Sequence, residues 1–140
     1  MAALTADRKL KYTHIRRTFT GDVKGATTIY LSALCAKTAA GYIVPASDAA
    51  AIKVVGVALE AVDNSAGADG DKTVQLATGV FEFVNAGGAI VQAGKHALCY
   101  VADDQSVSTA AAMTNDVVAG LVDGFTTTTV LVDVDPVYAA

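Results

Sequence analysis

Setting residue i beside residue i+64 aligns the chain with itself. Ala33-Leu34-Cys35 meets Ala97-Leu98-Cys99, Ile43 meets Val107, Ala46 meets Ala110, Val54 meets Val118, Gly56 meets Gly120 and Val57 meets Leu121. One offset carries the match from Ala33 to Ala58 without a gap. Whatever one copy folds into, the other must fold into as well, so the repeat limits the architecture more than any single motif does. Two copies are too few for a solenoid, which buries a continuous core only with about three or more units, and they predict a pseudo-symmetric closed β-unit.

The local pattern inside the copies is that of antiparallel strands. From Lys53 to Val84 the chain writes Lys53-Val54-Val55-Gly56-Val57-Ala58, then a polar loop, Val74-Gln75-Leu76, and Gly79-Val80-Phe81-Glu82-Phe83. Short β-branched runs with turn formers between them favour strands. In each copy the strand holding Cys runs into a second short strand, Tyr42–Val44 or Ser106–Ser108, which predicts a hairpin; Ala39-Ala40-Gly41 and Asp103-Asp104 supply the turns. The Ala-rich links Ala46–Ile52 and Ala110–Asn115, with Ser47-Asp48 and Thr114-Asn115 as caps, have room for a helical turn each. Ala26–Lys37 reads as a strand, Gly21-Asp22 as a turn and Asn85–Gly88 as a flexible turn. Pro136 stops the last strand, leaving Val137–Ala140 as an apolar tail that could pack on a partner. The fold class expected is all-β: a small barrel or sandwich of two similar halves, with short helical turns and an extended N-terminal arm.

At 140 residues the chain is long enough for one domain with a core that needs no disulfide or metal. Its apolar fraction is 53%, yet aromatics are 6% and Trp is absent, so much of that fraction is alanine. Small side chains suit thin cores and close subunit contacts, which predicts an assembled protein. No apolar run reaches the roughly 18 residues of a membrane span, and Met1–Lys24 holds no signal-peptide apolar region, so a cytosolic product with two reduced cysteines is expected.

Charge divides the chain unevenly. Residues 1–24 hold Arg8, Lys9, Lys11, Arg16, Arg17 and Lys24 against Asp7 and Asp22, a balance of +4. The rest, with 4 basic and 12 acidic side chains, carries −8. A basic arm on an acidic body is the asymmetry of a docking segment, set against the plainer possibility of a solvated tail. Residues 1–24 are therefore read as a docking arm and 25–140 as the domain. His14–Thr20 alternates weakly and would suit a strand added to a neighbour's sheet edge.

Motifs for chemistry fail on inspection. A phosphate loop would need Gly, four residues, Gly-Lys and a hydroxyl; in Gly88–His96 the first Gly is one position early and His96 stands where the hydroxyl should be, which leaves a loop between strands. Asp63–Asp71 spaces oxygen ligands like a calcium loop but has Ala68 at the position of the obligatory Gly and Val74 at that of the closing Glu. No Cys or second His stands at zinc spacing from His14 or His96. Cys35 and Cys99 hold matching repeat positions and read as small core residues; His96 lies three residues before Cys99, on the opposite face of a strand. Six cations with Tyr12 and Phe19 could meet a nucleic acid, but the acidic body opposes it. No cofactor, metal or nucleic acid is expected.

Two resemblances bear on function. Asp71-Lys72-Thr73 followed by Gly79 and by Gly88–Gly94 resembles lipoyl and biotinyl carrier domains, where a lysine at a hairpin tip is modified; here the Lys-to-Gly spacing is short. Over about residues 25–134 the chain resembles the small capsid decoration, or head-cement, proteins of tailed bacteriophages. The features are Gly56-Val57-Ala58, the strands ending in Val74-Gln75-Leu76, Gly79–Phe83, the glycine-rich turn before a strand and Gly120-Leu121-Val122. That resemblance implies a β-barrel-like, non-enzymatic subunit, usually trimeric, made in the host bacterium and placed on the capsid exterior, where it clamps neighbouring major capsid protein subunits after expansion. The docking residues would lie in the arm: Arg8, Lys9, Lys11, Tyr12, Ile15, Arg16, Arg17 and Phe19. A head-tail or tail component is the nearest alternative within the virion.

Overall fold

The structure is a computed structural model and describes residues 3–139. Its strands are β1 (Tyr12–Asp22), β2 (Thr27–Ile29), β3 (Leu34–Lys37), β4 (Ile43–Pro45), β5 (Lys53–Ala58), β6 (Val62–Asn64), β7 (Thr73–Asn85), β8 (Leu98–Val101), β9 (Ser106–Ser108), β10 (Val118–Phe125) and β11 (Thr129–Val134). Short 3-10 turns at Ala86–Gly88, Gln92–Gly94, Ala110–Ala112 and Pro136–Ala139 complete the regular structure. The chain is all-β, as its pattern predicts.

The duplication is visible in the pairings. In the first copy β3 pairs with β4 on one side and β5 on the other; in the second, β8 pairs with β9 and β10. Both copies then close through β7. Its C-terminal half takes β11 along one edge and β9, in parallel, at its end, so β7-β9-β8-β10-β11 forms a five-stranded barrel. Its N-terminal half lies between β1 and β5, and a parallel bridge from Val23 to Ile43 joins the end of β1 to β4. β7 thus belongs to both halves.

Period-two alternation explains how one strand serves two cores. Val74 and Leu76 enter the smaller core with Ile29, Cys35, Ile43 and Val62, while Ala77, Phe81 and Phe83 enter the larger one with Cys99, Val107 and Val132. The wall β3-β5-β7 divides the two cores: Cys35, Val55 and Ala58 face the smaller, Leu34, Ala36, Val54 and Val57 the larger. The β2-β6 ribbon lids the smaller core through Ile29 and Val62. Each large side chain buried in this way contributes about 1.5–3 kcal/mol relative to exposure.

Gly79 stands where β7 passes from one half to the other. Its φ is 144°, and a Cβ there would collide with the backbone carbonyl of His14, so only glycine fits. Bulges in β1 on either side of His14 accommodate the same bend.

Several expectations need correcting. Gly21 and Asp22 are not a turn, because their pairing with Val74 and Thr73 prolongs β1. Ala26–Lys37 is two strands interrupted at Ser32, whose φ of 70° breaks the extended run. Of the Ala-rich links only the second holds a helical turn. The expected caps instead tie the links together: the Asp48 carboxylate accepts from the amides of Thr114 at 2.9 Å and Asn115 at 2.8 Å, and both bonds depress its pKa. Asn85 makes its turn a pinned one, donating to the carbonyls of Ile90 at 2.9 Å and Thr126 at 3.0 Å and accepting from the Ile90 amide at 3.0 Å. In the apolar tail, Val137 is exposed and Tyr138 donates to Asp133 at 2.9 Å, which raises its pKa; Ala140 lies outside the described residues.

Candidate docking surface

The basic segment folds onto its own chain. β1 is a strand, as its alternation suggests, but the sheet it joins is its own: it runs antiparallel to β7 from Tyr12 against Phe81 to Asp22 against Thr73. The residues before it are held too. The Leu4 amide donates to Asp104 at 2.8 Å, Asp7 accepts from the Leu31 amide at 2.9 Å, and Leu10 packs on the larger core.

Several of the residues expected to dock are engaged within their own chain, Arg16 while still exposed. Arg8 donates to the Ser32 carbonyl from Nε at 3.1 Å and Nη2 at 3.0 Å, and to the Glu82 carbonyl from Nη1 at 3.0 Å. Its guanidinium lies 4.8 Å from the Phe83 ring centroid. Burial lowers its pKa against the opposing pull of Asp104, Glu82 and Asp103. Ile15 packs on the larger core and Phe19 on the smaller. Arg16 reaches Asp133 at 2.6 Å and Asp135 at 3.0 Å, and the hydrogen bond to Asp133 raises its pKa.

Part of the charge asymmetry is therefore satisfied within the chain, since Arg16, Lys11 (3.5 Å from Glu82) and Arg8 all meet the acidic body. Asp104 is buried beside this segment, and burial raises its pKa while the Leu4 amide opposes the shift. The arithmetic of charge could not say whether the two signs meet in one molecule or across two.

The rest of the set remains on the surface. Lys9 and Arg17 are exposed, Arg17 stacked 4.9 Å over Phe19, and Tyr12 is 53% exposed with its ring centroid 6.2 Å from that of Phe81. These residues, with exposed His14, accompany an open edge: among the described residues β1 pairs as a strand with β7 alone, and its other edge stays unpaired until the parallel bridge of Val23 with Ile43 at its C-terminal end.

Lys72 is exposed, but β6 and β7 on either side of its loop pair with different strands, so it is not at a hairpin tip; its ammonium donates to the Asp63 carbonyl at 2.7 Å. The acidic loop spends its carboxylates on itself and its neighbour: Asp63 accepts from Ser65, Asp71 from Ala68 and Asp69 from Gly25. Gly88–His96 leads into β8, and among the described residues no α-helix follows it. Cys35 and Cys99 are free, buried thiols, and desolvation pushes the pKa of each up, that of Cys99 to about 12. Among the described residues no group of three or more His, Cys, Asp or Glu side chains is placed to hold a metal ion. Set against protein-family models, curated proteins and solved structures, the chain finds no match.

Proposed function

We propose that this chain is a structural, non-enzymatic virion protein that binds the outer surface of an expanded bacteriophage capsid and clamps neighbouring major capsid protein subunits. The observation that carries this reading is the open edge of β1, a strand of 11 residues bridged to β4 only at its C-terminal end and flanked by Lys9, His14 and Arg17. An extended segment of a capsid subunit adds to such an edge through main-chain hydrogen bonds, and an acidic segment is favoured by the cations beside it. The edge is mounted on a wall that two cores hold in place, so a strand bound there inherits a rigid support. Each contact of this kind is modest, and many copies on one shell add up by multivalency.

The protein would be made in the host bacterium, act as a homo-oligomer, a trimer in the resemblance, and engage neither nucleic acid nor membrane. The test is co-sedimentation of the purified chain with expanded and unexpanded capsids of the phage that encodes it. Selective binding to expanded shells is expected, and the K9E/H14E/R17E variant is expected to lose it while keeping its circular dichroism spectrum. Binding to tails or connectors alone would replace this role with a joining one, and a mass increase on Lys72 in cells would favour the carrier.

A further inference from the structure

The repeat writes one face twice, with opposite chemistry at its end. In the second copy the row facing into the barrel is apolar throughout: Cys99 and Val101 on β8, Val117 just before β10, and Ala119 and Val122 on it, all buried. In the first copy, 64 residues earlier, the row begins alike, with Cys35, Val55 and Ala58 in the smaller core. It ends on Lys37 and Lys53, where the second copy has Val101 and Val117. The strands meet in the same way at both places: Lys37 stands across from Lys53 in the β3–β5 pairing, and the Val101 amide donates to the Val117 carbonyl at 2.8 Å. The two valines are 0% and 6% exposed, whereas both lysines are on the surface.

Two ammonium groups on directly opposed residues repel one another. Neither lysine makes an ion pair with a described residue, although the chain beyond residue 24 carries 12 acidic side chains against 4 basic ones, of which these are 2. Apolar ground adjoins the pair on both sides. A groove of about 540 Å³ runs beside Lys37 and Lys53 along Ala39, Ala51 and Ile52, and a smaller one of about 230 Å³ sets the same lysines against Val55 and Pro136. Both lysines line both grooves, which sets positive charge beside apolar walls.

We infer that Lys37 and Lys53 form a docking site for an acidic polypeptide segment, one whose carboxylate meets the two ammonium groups while an apolar neighbour enters the groove at Ile52. A carboxylate there offsets the repulsion that the fold leaves uncompensated, so binding is favoured by what it relieves as well as by what it adds. A nucleic acid would bring the same charge, but the chain's net charge of −4 repels a long run of phosphates, and among the described residues the groove walls hold no aromatic ring on which a base could stack. The inference does not depend on what the β1 edge binds.

The probe that tests it is a fluorescein-labelled peptide of alternating glutamate and valine, titrated into the full-length chain at low salt. Saturable binding is expected, with the amide signals of Lys37, Ile52 and Lys53 moving in the NMR spectrum and the affinity falling as ionic strength rises. K37V/K53V, which writes the second copy's residues into the first, is expected to bind about tenfold or more weakly. Its urea midpoint should rise, because the opposed charges are gone. K37R/K53R should bind within about threefold of wild type, as should K95V, which removes an exposed lysine elsewhere on the body. Binding by K37V/K53V equal to wild type, a fall in its urea midpoint, or equal binding of a peptide with glutamine in place of glutamate would each overturn the inference. So would shifts confined to β1, tighter binding of a single-stranded oligonucleotide, or a response to inorganic phosphate with none to the peptide.

Discussion

Cys35 stands across the β3–β5 pairing from Gly56, and one residue further on an extra residue, Val55, shifts the register. The second copy repeats the arrangement: Cys99 faces Gly120, and Ala119 is the extra residue. A bulge turns successive side chains to the faces they need, which is how Val54 and Val57 point one way while Val55 and Ala58 point the other. Glycine is required at both bends because a Cβ at Gly56 would lie 2.8 Å from the Ala77 carbonyl, and one at Gly120 would press still closer on that of Asp133. Gly56→Ala and Gly120→Ala are each expected to cost about 1–3 kcal/mol, Gly120→Ala the more, read as a fall in the urea midpoint at constant m-value. Equal stability of either variant with wild type would mean that the strands separate freely there.

The buried thiols give stability a pH dependence of known sign. Folding raises both pKa values above the roughly 8.5 of a free thiol, so the stabilisation is complete below that pH and is lost as pH climbs towards the folded value, about 12 for Cys99. Unfolding free energy is expected to decline from pH 8.5 to 11, by at most about 1.4 kcal/mol per unit for each thiol. In Cys99→Ala the decline should be shallower whatever the variant's absolute stability, and an identical slope would remove the thiol as its cause.

Arg8 and Arg16 separate two kinds of cation in one segment. Arg16 is exposed, its side chain 39% accessible, so screening limits its double ion pair. Arg16→Ala is expected to cost below about 1 kcal/mol at low salt and close to nothing in molar salt. Arg8→Ala strands the Ser32 and Glu82 carbonyls and uncovers Phe83, with an expected cost of about 2–3 kcal/mol at any salt concentration. Arg8→Lys should recover little of it, because an ammonium lacks the planar fork. Chemical denaturation at two ionic strengths distinguishes all three.

Asn85→Ala should be among the most damaging single polar changes. It removes both donors and the acceptor that hold the Ile90 and Thr126 backbone, leaving buried groups unpaired, at an expected cost of about 2–3 kcal/mol with faster amide exchange at Ile90. Exchange at Ile90 equal to wild type would show that the turn holds without it.

Removing residues 1–22 tests where the N-terminal segment belongs. The truncated chain would lose the strand along β7 together with Phe19, Ile15 and the Arg8 contacts, so a poorly dispersed amide spectrum is expected. A well-dispersed one would mean that the segment is an appendage after all.

Much of the fold was legible in the residues. The offset of 64, the Cys and Gly positions and the β9 span all describe what the chain forms, because cross-strand neighbours repeat wherever the pairing repeats. The partner of β1 was not legible. Alternation says that a segment is extended and which side is apolar, but not whose sheet it enters, and six cations look alike whether Asp133 is in the same molecule or the next. The double membership of β7 was hidden for a related reason: Val74-Gln75-Leu76 and Gly79–Phe83 read as two strands because Gly79 interrupts the pattern, whereas the strand bends there and continues to Asn85. Of the residues expected to dock, Lys9 and Arg17 stay exposed, and charge could not tell them from Arg8, whose acceptors are carbonyls that leave no mark in the sequence.

Because one uninterrupted 13-residue segment is common to both halves, tension applied to either half is transmitted to the other through covalent bonds and two flanking ladders rather than through a hinge. Pulled from its ends, such a chain should yield in one rupture event instead of two, since neither half keeps a complete perimeter once the shared segment is drawn out.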